Sequence, residues 1–115
     1  MSAHDFTAQR AETYASFAEI EGSEDLPEEA DIDYIFLPRL GADWTAVILA
    51  LSDDGFAAER HDPEPGDADF ADGPWLVATL TDQPVSALSV WLGEETATRI
   101  ALQHGFVPDG WGFMG

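Results

Sequence analysis

A cluster of acidic side chains in the second half of the chain is the first place where a metal ion could be held. The cluster comprises Asp62, Glu64, Asp67, Asp69 and Asp72. A calcium loop of the EF-hand type needs ligands at its first, third and fifth positions and a glycine at its sixth. Here Asp67, Asp69 and Asp72 fall at the first, third and sixth positions. The spacing therefore favours a solvated loop, and we expect no metal site.

The histidines and the remaining acids form no recognisable catalytic motif. His61 adjoins the acidic cluster, and with Asp67 and Asp69 it suggests a metal-dependent or acid–base enzyme as one hypothesis. No histidine has an HExxH partner or lies near a serine-nucleophile turn. The chain has no cysteine, which excludes thiolate chemistry and disulfides. We expect no catalytic residue and no cofactor.

The net charge limits the kinds of partner. The chain has 23 acidic residues against four arginines and no lysine, which gives a formal net charge of −19. Such a surface repels phosphate, so we expect no direct binding to nucleic acid or to anionic membranes. A basic protein would be attracted. Solubility or adaptation to salt is the alternative explanation of the acidity.

Length and composition predict one soluble domain in the cytoplasm. The chain has 115 residues, of which 45% are hydrophobic, and this is enough for a packed core. The first residues lack the layout of a signal peptide. The apolar run at 44–51 is far shorter than the roughly 20 residues that span a bilayer. We divide the domain into an N-terminal helix with an acidic connector (1–31) and a core (32–115).

The order of the predicted elements indicates an α+β, ferredoxin-like core. The prediction is a helix at 5–21, then a strand at 32–39, a helix at 43–55, strands at 56–62 and 74–81, a helix within 86–104 and a strand at 106–113. Two βαβ units of this kind form an antiparallel sheet with strand order 4-1-3-2. The first and third strands are apolar on both faces, which independently predicts that they are central.

A sheet of this topology carries two helices on one face and leaves the other face bare. Because its central strands are apolar on both faces, the bare face needs a cover. The N-terminal helix has an apolar face formed by Phe6, Ala11, Tyr14, Phe17 and Ala18. We expect this helix to lie over the bare face, with a second protein chain as the alternative.

The last predicted strand contains the stretch DGWG, residues 109–112. Strand alternation places one set of side chains on a single face: Val107, Asp109, Trp111 and Phe113. Gly110 and Gly112 then lie on the other face. Glycine in a strand often marks a bulge or the close approach of another backbone. We expect a helix or the chain itself to pass near the two glycines, and Trp111 to be buried.

The sequence as a whole resembles the RraB family, the regulators of RNase E activity B. The resemblance rests on the helix AQRAETYASFAEI, the acidic break after it, the DDGF that follows the first core helix and the final PDGWG. Its distinctive motif is Asp109-Gly110-Trp111-Gly112. Members of that family carry a strongly acidic C-terminal tail, whereas the acids of this sequence are concentrated at 19–33 and 62–72.

The resemblance implies a small acidic protein that binds the endoribonuclease RNase E outside its catalytic half and restrains RNA cleavage. Together with the charge, it predicts a non-catalytic regulator that binds a basic segment of a partner protein, with RNase E as the candidate. The predicted contact residues are Asp62, Glu64, Asp67, Asp69, Asp72, Asp109 and Trp111. The alternative is a small structural domain that forms a homodimer through the open sheet face.

Overall fold

The computed structural model describes residues 4–64 and 73–114. Within them the elements are α1 (Phe6–Ser23), β1 (Glu29–Pro38), α2 (Trp44–Asp53), β2 (Ala57–His61), β3 (Trp75–Pro84), α3 (Ala87–Gln103) and β4 (Phe106–Met114). The four strands form one antiparallel sheet in the order β2-β3-β1-β4. The predicted α+β, ferredoxin-like fold is confirmed, including the central position of β1 and β3.

Short-range sequence signals fix the ends of the helices. Asp5 and Asp43 cap α1 and α2, because their carboxylates accept the backbone N–H groups of Ala8 and Ala46 at 2.9 and 3.0 Å. Gly105 follows α3 in the left-handed region, at φ 86°, where glycine has no steric penalty. It turns the chain directly into β4.

The core lies between the helices and one face of the sheet, here called the covered face. Ile32, Tyr34 and Phe36 of β1 alternate onto this face and are fully or almost fully buried. The Tyr34 hydroxyl donates a hydrogen bond to the Val90 carbonyl of α3 at 2.9 Å. This bond fixes α3 over the middle of the sheet.

Gly93 allows α3 to approach β1 closely. A methyl group at this position would lie 2.9 Å from both Leu80 Cδ1 and Tyr34 Cζ, and closer still to the Tyr34 hydroxyl. Real Cβ atoms do not come this near to other heavy atoms. The glycine that disfavours a helix by propensity is therefore required by packing.

The position of α1 differs from the prediction. Of the predicted apolar face, Phe17 is buried, together with the polar Gln9 and Thr13, whereas Ala11 and Ala18 are exposed. Thr13 donates a hydrogen bond to Glu94 of α3, and Phe17 packs edge-to-face on Phe113 of β4 with ring centroids 6.4 Å apart. Helix α1 therefore lies beside α3 on the covered side of the sheet, and the expectation that it covers the bare face is wrong.

A bulge in β4 changes the predicted alternation of its side chains. Ile35 pairs with Gly110 while the next residue, Phe36, pairs with Pro108, so Asp109 is the extra residue. Trp111 remains on the covered face, opposite Tyr34, but the bulge places Val107 on the other face. The prediction that Val107 shares a face with Trp111 is therefore wrong.

The glycines of DGWG also differ from the prediction. A Cβ added at Gly110 or Gly112 would meet nothing within 4 Å in the described part of the chain. No helix or further strand there packs over the two glycines, and the expectation that one does is wrong. Gly110 has φ 135°, a conformation that other residues rarely adopt, and it is required by the bulge.

Candidate functional site

The face of the sheet opposite the helices, here called the open face, carries an apolar stripe. The stripe consists of Leu37 and Ile35 on β1, Trp75 and Val77 on β3, and Val107 on β4. Four of these side chains are half-buried by their neighbours in the sheet, and the fifth, Leu37, is 36% exposed. No helix of residues 4–64 and 73–114 lies over this face. Apolar residues grouped on a face without a cover are typical of an interaction surface.

Polar side chains border the stripe on two sides. On the β2 side, the His61 ring stacks on Trp75 with centroids 5.7 Å apart, and its Nε2 lies 3.4 Å from a carboxylate oxygen of Glu59. Towards one end of the sheet, Asp33 accepts a hydrogen bond from the Thr79 hydroxyl at 2.6 Å. On the β4 side, the bare backbone of Gly112 lies opposite Asp33. The open face thus combines an apolar centre with an acidic border.

A cleft of about 500 Å³ lies on the covered side, between α1 and the edge strand β4. Its α1 wall includes Asp5, Glu12 and Thr13, and its β4 wall includes Asp109 and Trp111. The Trp111 ring packs edge-to-face on Phe113 with centroids 5.4 Å apart. The stretch DGWG therefore borders two surfaces: Asp109, Gly110 and Trp111 line the cleft, and Gly112 lies opposite Asp33 of the open face.

A layer of polar groups lies at the base of this cleft. Glu94 is only 4% exposed and its carboxylate accepts the Thr13 hydroxyl. Beside it, Gln9 donates to Thr98 at 3.0 Å, and the Gln9 carbonyl oxygen lies 2.7 Å from His4 Nε2. The Thr13–Glu94 and Gln9–Thr98 hydrogen bonds link α1 to α3.

Burial raises the pKa of the Glu94 carboxyl above its ordinary value. The hydrogen bonds from Thr13 and Gln9 oppose this rise, the neighbouring Glu12 adds to it, and the charge of the nearby His4 opposes it. Burial, and then the nearby Glu94, raise the pKa of Tyr34 as well, so its phenol keeps its proton. A buried acid with a perturbed pKa beside a cleft is a feature of functional sites as well as of structural networks.

The structure separates the predicted contact residues into two groups. Asp62 and Glu64 follow β2, one outer strand of the sheet, whereas Asp109 and Trp111 lie on β4, the other outer strand. Asp62 accepts a hydrogen bond from Arg60 at 3.1 Å, and both side chains are exposed. The other three predicted residues, Asp67, Asp69 and Asp72, lie outside the described residues. One compact site cannot include both outer strands.

The sequence prediction missed Gln9, Thr13, Glu94 and Thr98. Their signal is spacing: Gln9 and Thr13 are four residues apart, as are Glu94 and Thr98, so each pair shares one helix face. Polar residues on such a face are usually exposed. Only the apposition of α1 and α3 shows that these four are buried.

In residues 4–64 and 73–114, no three acidic or histidine side chains are grouped so as to hold a metal ion. In the same residues, no helix has the length and the apolar character needed to cross a membrane. When the sequence is compared with models of known protein families and with curated proteins, none of them matches.

Proposed function

We propose that the chain is a cytoplasmic, non-catalytic regulator that binds a basic segment of a partner protein on its open sheet face. The observation that carries the proposal is the uncovered apolar stripe of Leu37, Ile35, Trp75, Val77 and Val107. Burying such a stripe against apolar side chains of a partner is favourable by about 25 cal/mol per Å².

The charge of the chain selects the kind of partner. With 23 acidic residues and four arginines, the surface attracts a segment rich in lysine or arginine and speeds its association. Glu59 and Asp33 border the stripe, so positive side chains that flank an apolar contact meet acids there. A second copy of the chain carries the same charge of −19 and is repelled.

RNase E is the first partner to test, because the layout of the chain and its DGWG stretch resemble the RraB regulators of that enzyme. In this proposal the chain restrains RNA cleavage by occupying RNase E outside its catalytic half. It needs no catalytic centre of its own. Self-assembly through the open face is the competing proposal, since the same stripe can pair with a second copy.

The two proposals predict opposite effects of salt. Raising the salt from about 50 to about 500 mM screens exposed charges, so partner binding weakens, by at least about tenfold in affinity. Self-association instead strengthens with salt, because screening removes the repulsion between two acidic copies. The experiment is a calorimetric titration of the non-catalytic part of RNase E into the purified protein, with the solution mass of the protein measured at both salt concentrations.

Binding at low salt that is lost at high salt supports the regulator. An affinity that is equal at both salt concentrations contradicts the electrostatic basis of the proposal. If RNase E does not bind, and the fraction of dimer increases with salt, the result supports the self-assembling structural domain instead.

A further inference from the structure

The cleft between α1 and β4 is a second surface suited to positive charge. Four acids line it: Asp5, Glu12, Glu94 and Asp109. Of these, Asp5 is committed to capping α1 through its bond to Ala8 N–H. None of the residues that line the cleft is an arginine, and the chain has no lysine.

Glu94 is the least exposed of these acids. Its hydrogen bonds come from neutral groups, and the charge of His4, which also lines the cleft, lowers its pKa. Its carboxylate accepts the neutral Thr13 hydroxyl. None of the ion pairs formed among residues 4–64 and 73–114 includes it. A buried carboxylate outside any ion pair is costly, and a cation that enters from the cleft would compensate it.

Trp111 gives the cleft an aromatic wall next to these acids. A guanidinium group can stack on an aromatic ring while its N–H donors bind carboxylates, and an ammonium group lacks this planar fork. The chain uses the same contact internally, since the Arg99 guanidinium lies 4.4 Å from the centroid of the Phe6 ring.

We propose that the cleft receives an arginine side chain of the partner's basic segment, with Glu12, Glu94 and Asp109 as acceptors and Trp111 as the stacking wall. This inference rests on the proposed function, because it assigns one side chain of the same partner. Strand β4 lies between the cleft and the open face, so a segment that crosses β4 at Gly110 reaches both. The unobstructed space around Gly110 permits that crossing.

The test compares peptides of nine arginines and nine lysines, which carry the same charge. Both are titrated into the full chain at pH 8 and at the same salt concentration, so that only the cationic group of the peptide differs. The cleft variant is Glu12→Gln with Asp109→Asn, which removes two exposed acids and leaves the cap and buried layer intact. The matched control is Glu24→Gln with Asp25→Asn, which removes two exposed acids outside the cleft.

We expect the wild-type protein to bind the arginine peptide more tightly than the lysine peptide. The cleft variant should lose about tenfold in affinity for the arginine peptide, whereas the control should lose no more than about threefold. The preference for arginine should disappear in the cleft variant and persist in the control. Equal losses in the two variants, or no preference in the wild type, would overturn the inference.

Titration of the non-catalytic part of RNase E separates this inference from the proposed function. If RNase E binds the wild type and the cleft variant equally, the cleft assignment fails and the regulator stands. The other outcome is that RNase E binds neither protein, while the preference for the arginine peptide is present in the wild type and lost in the cleft variant. In that case the cleft assignment stands and RNase E is the wrong partner.

Discussion

The two faces of the sheet carry similar apolar side chains and differ in what covers them. On the covered face, Ile32, Tyr34 and Phe36 are at most 1% exposed beneath the helices. On the open face, Ile35 and Leu37 alternate with them along the same strand and remain partly exposed. The contrast shows that an apolar pattern on both faces predicts two surfaces to be covered, but not that the same chain supplies both covers.

Substitution of two glycines, one near each face of the sheet, gives the largest expected difference in the free energy of unfolding. Gly93→Ala should reduce the free energy of unfolding by about 1 kcal/mol or more, because overpacking against Tyr34 and Leu80 exceeds the gain in helix propensity of about 1 kcal/mol. Gly112→Ala, where the added methyl group meets nothing within 4 Å, should change it by less than about 0.5 kcal/mol. Urea unfolding of both variants measures the difference.

An unchanged stability of Gly93→Ala would contradict the close packing of α3 on β1. A large loss in Gly112→Ala would show that the open face is covered in the free protein.

Glu94 gives a smaller effect that depends on pH. Its pKa is raised in the folded state, so the folded protein holds this proton more tightly than the unfolded chain. The contribution of Glu94 is therefore most favourable below the ordinary carboxyl pKa and is lost as the pH rises through the folded-state pKa. Relative to the wild type, Glu94→Gln should gain stability from pH 4 to pH 8.

Urea unfolding of the wild type and Glu94→Gln across this pH range checks the sign. Taking the difference between the two proteins removes the effect of the other carboxylates. A difference that shrinks as the pH rises would show that the ionised form of Glu94 is the favoured one in the fold.

The parts of the fold that follow local rules could be predicted from the sequence. The two-sided apolar pattern of β1 and β3 identified the central strands, and the caps at Asp5 and Asp43 marked the helix starts. The side on which α1 lies could not be predicted, because its buried stripe is Gln9, Thr13 and Phe17, of which two are polar. Their burial depends on Glu94 and Thr98, more than 80 residues away along the chain.

The basic partner stays a prediction from the net charge, and the position of the candidate surfaces was only partly predictable from the sequence. The DGWG stretch placed Asp109 and Trp111 together, and both line the cleft. Strand alternation failed at Val107, because the bulge at Asp109 shifts the register by one residue. The pairing of distant strands, which no local pattern contains, placed Asp62 and Asp109 at opposite edges of the sheet.

The most direct test of the open face as a docking surface is the affinity of the Leu37→Ser variant for the non-catalytic part of RNase E at low salt. The matched control is Leu49→Ser, which removes a leucine that is 61% exposed on α2, away from the sheet. We predict that Leu37→Ser weakens binding by about fivefold or more, through the loss of buried apolar area, and that Leu49→Ser leaves it unchanged. Equal affinities of the two variants and the wild type would contradict docking on the open face.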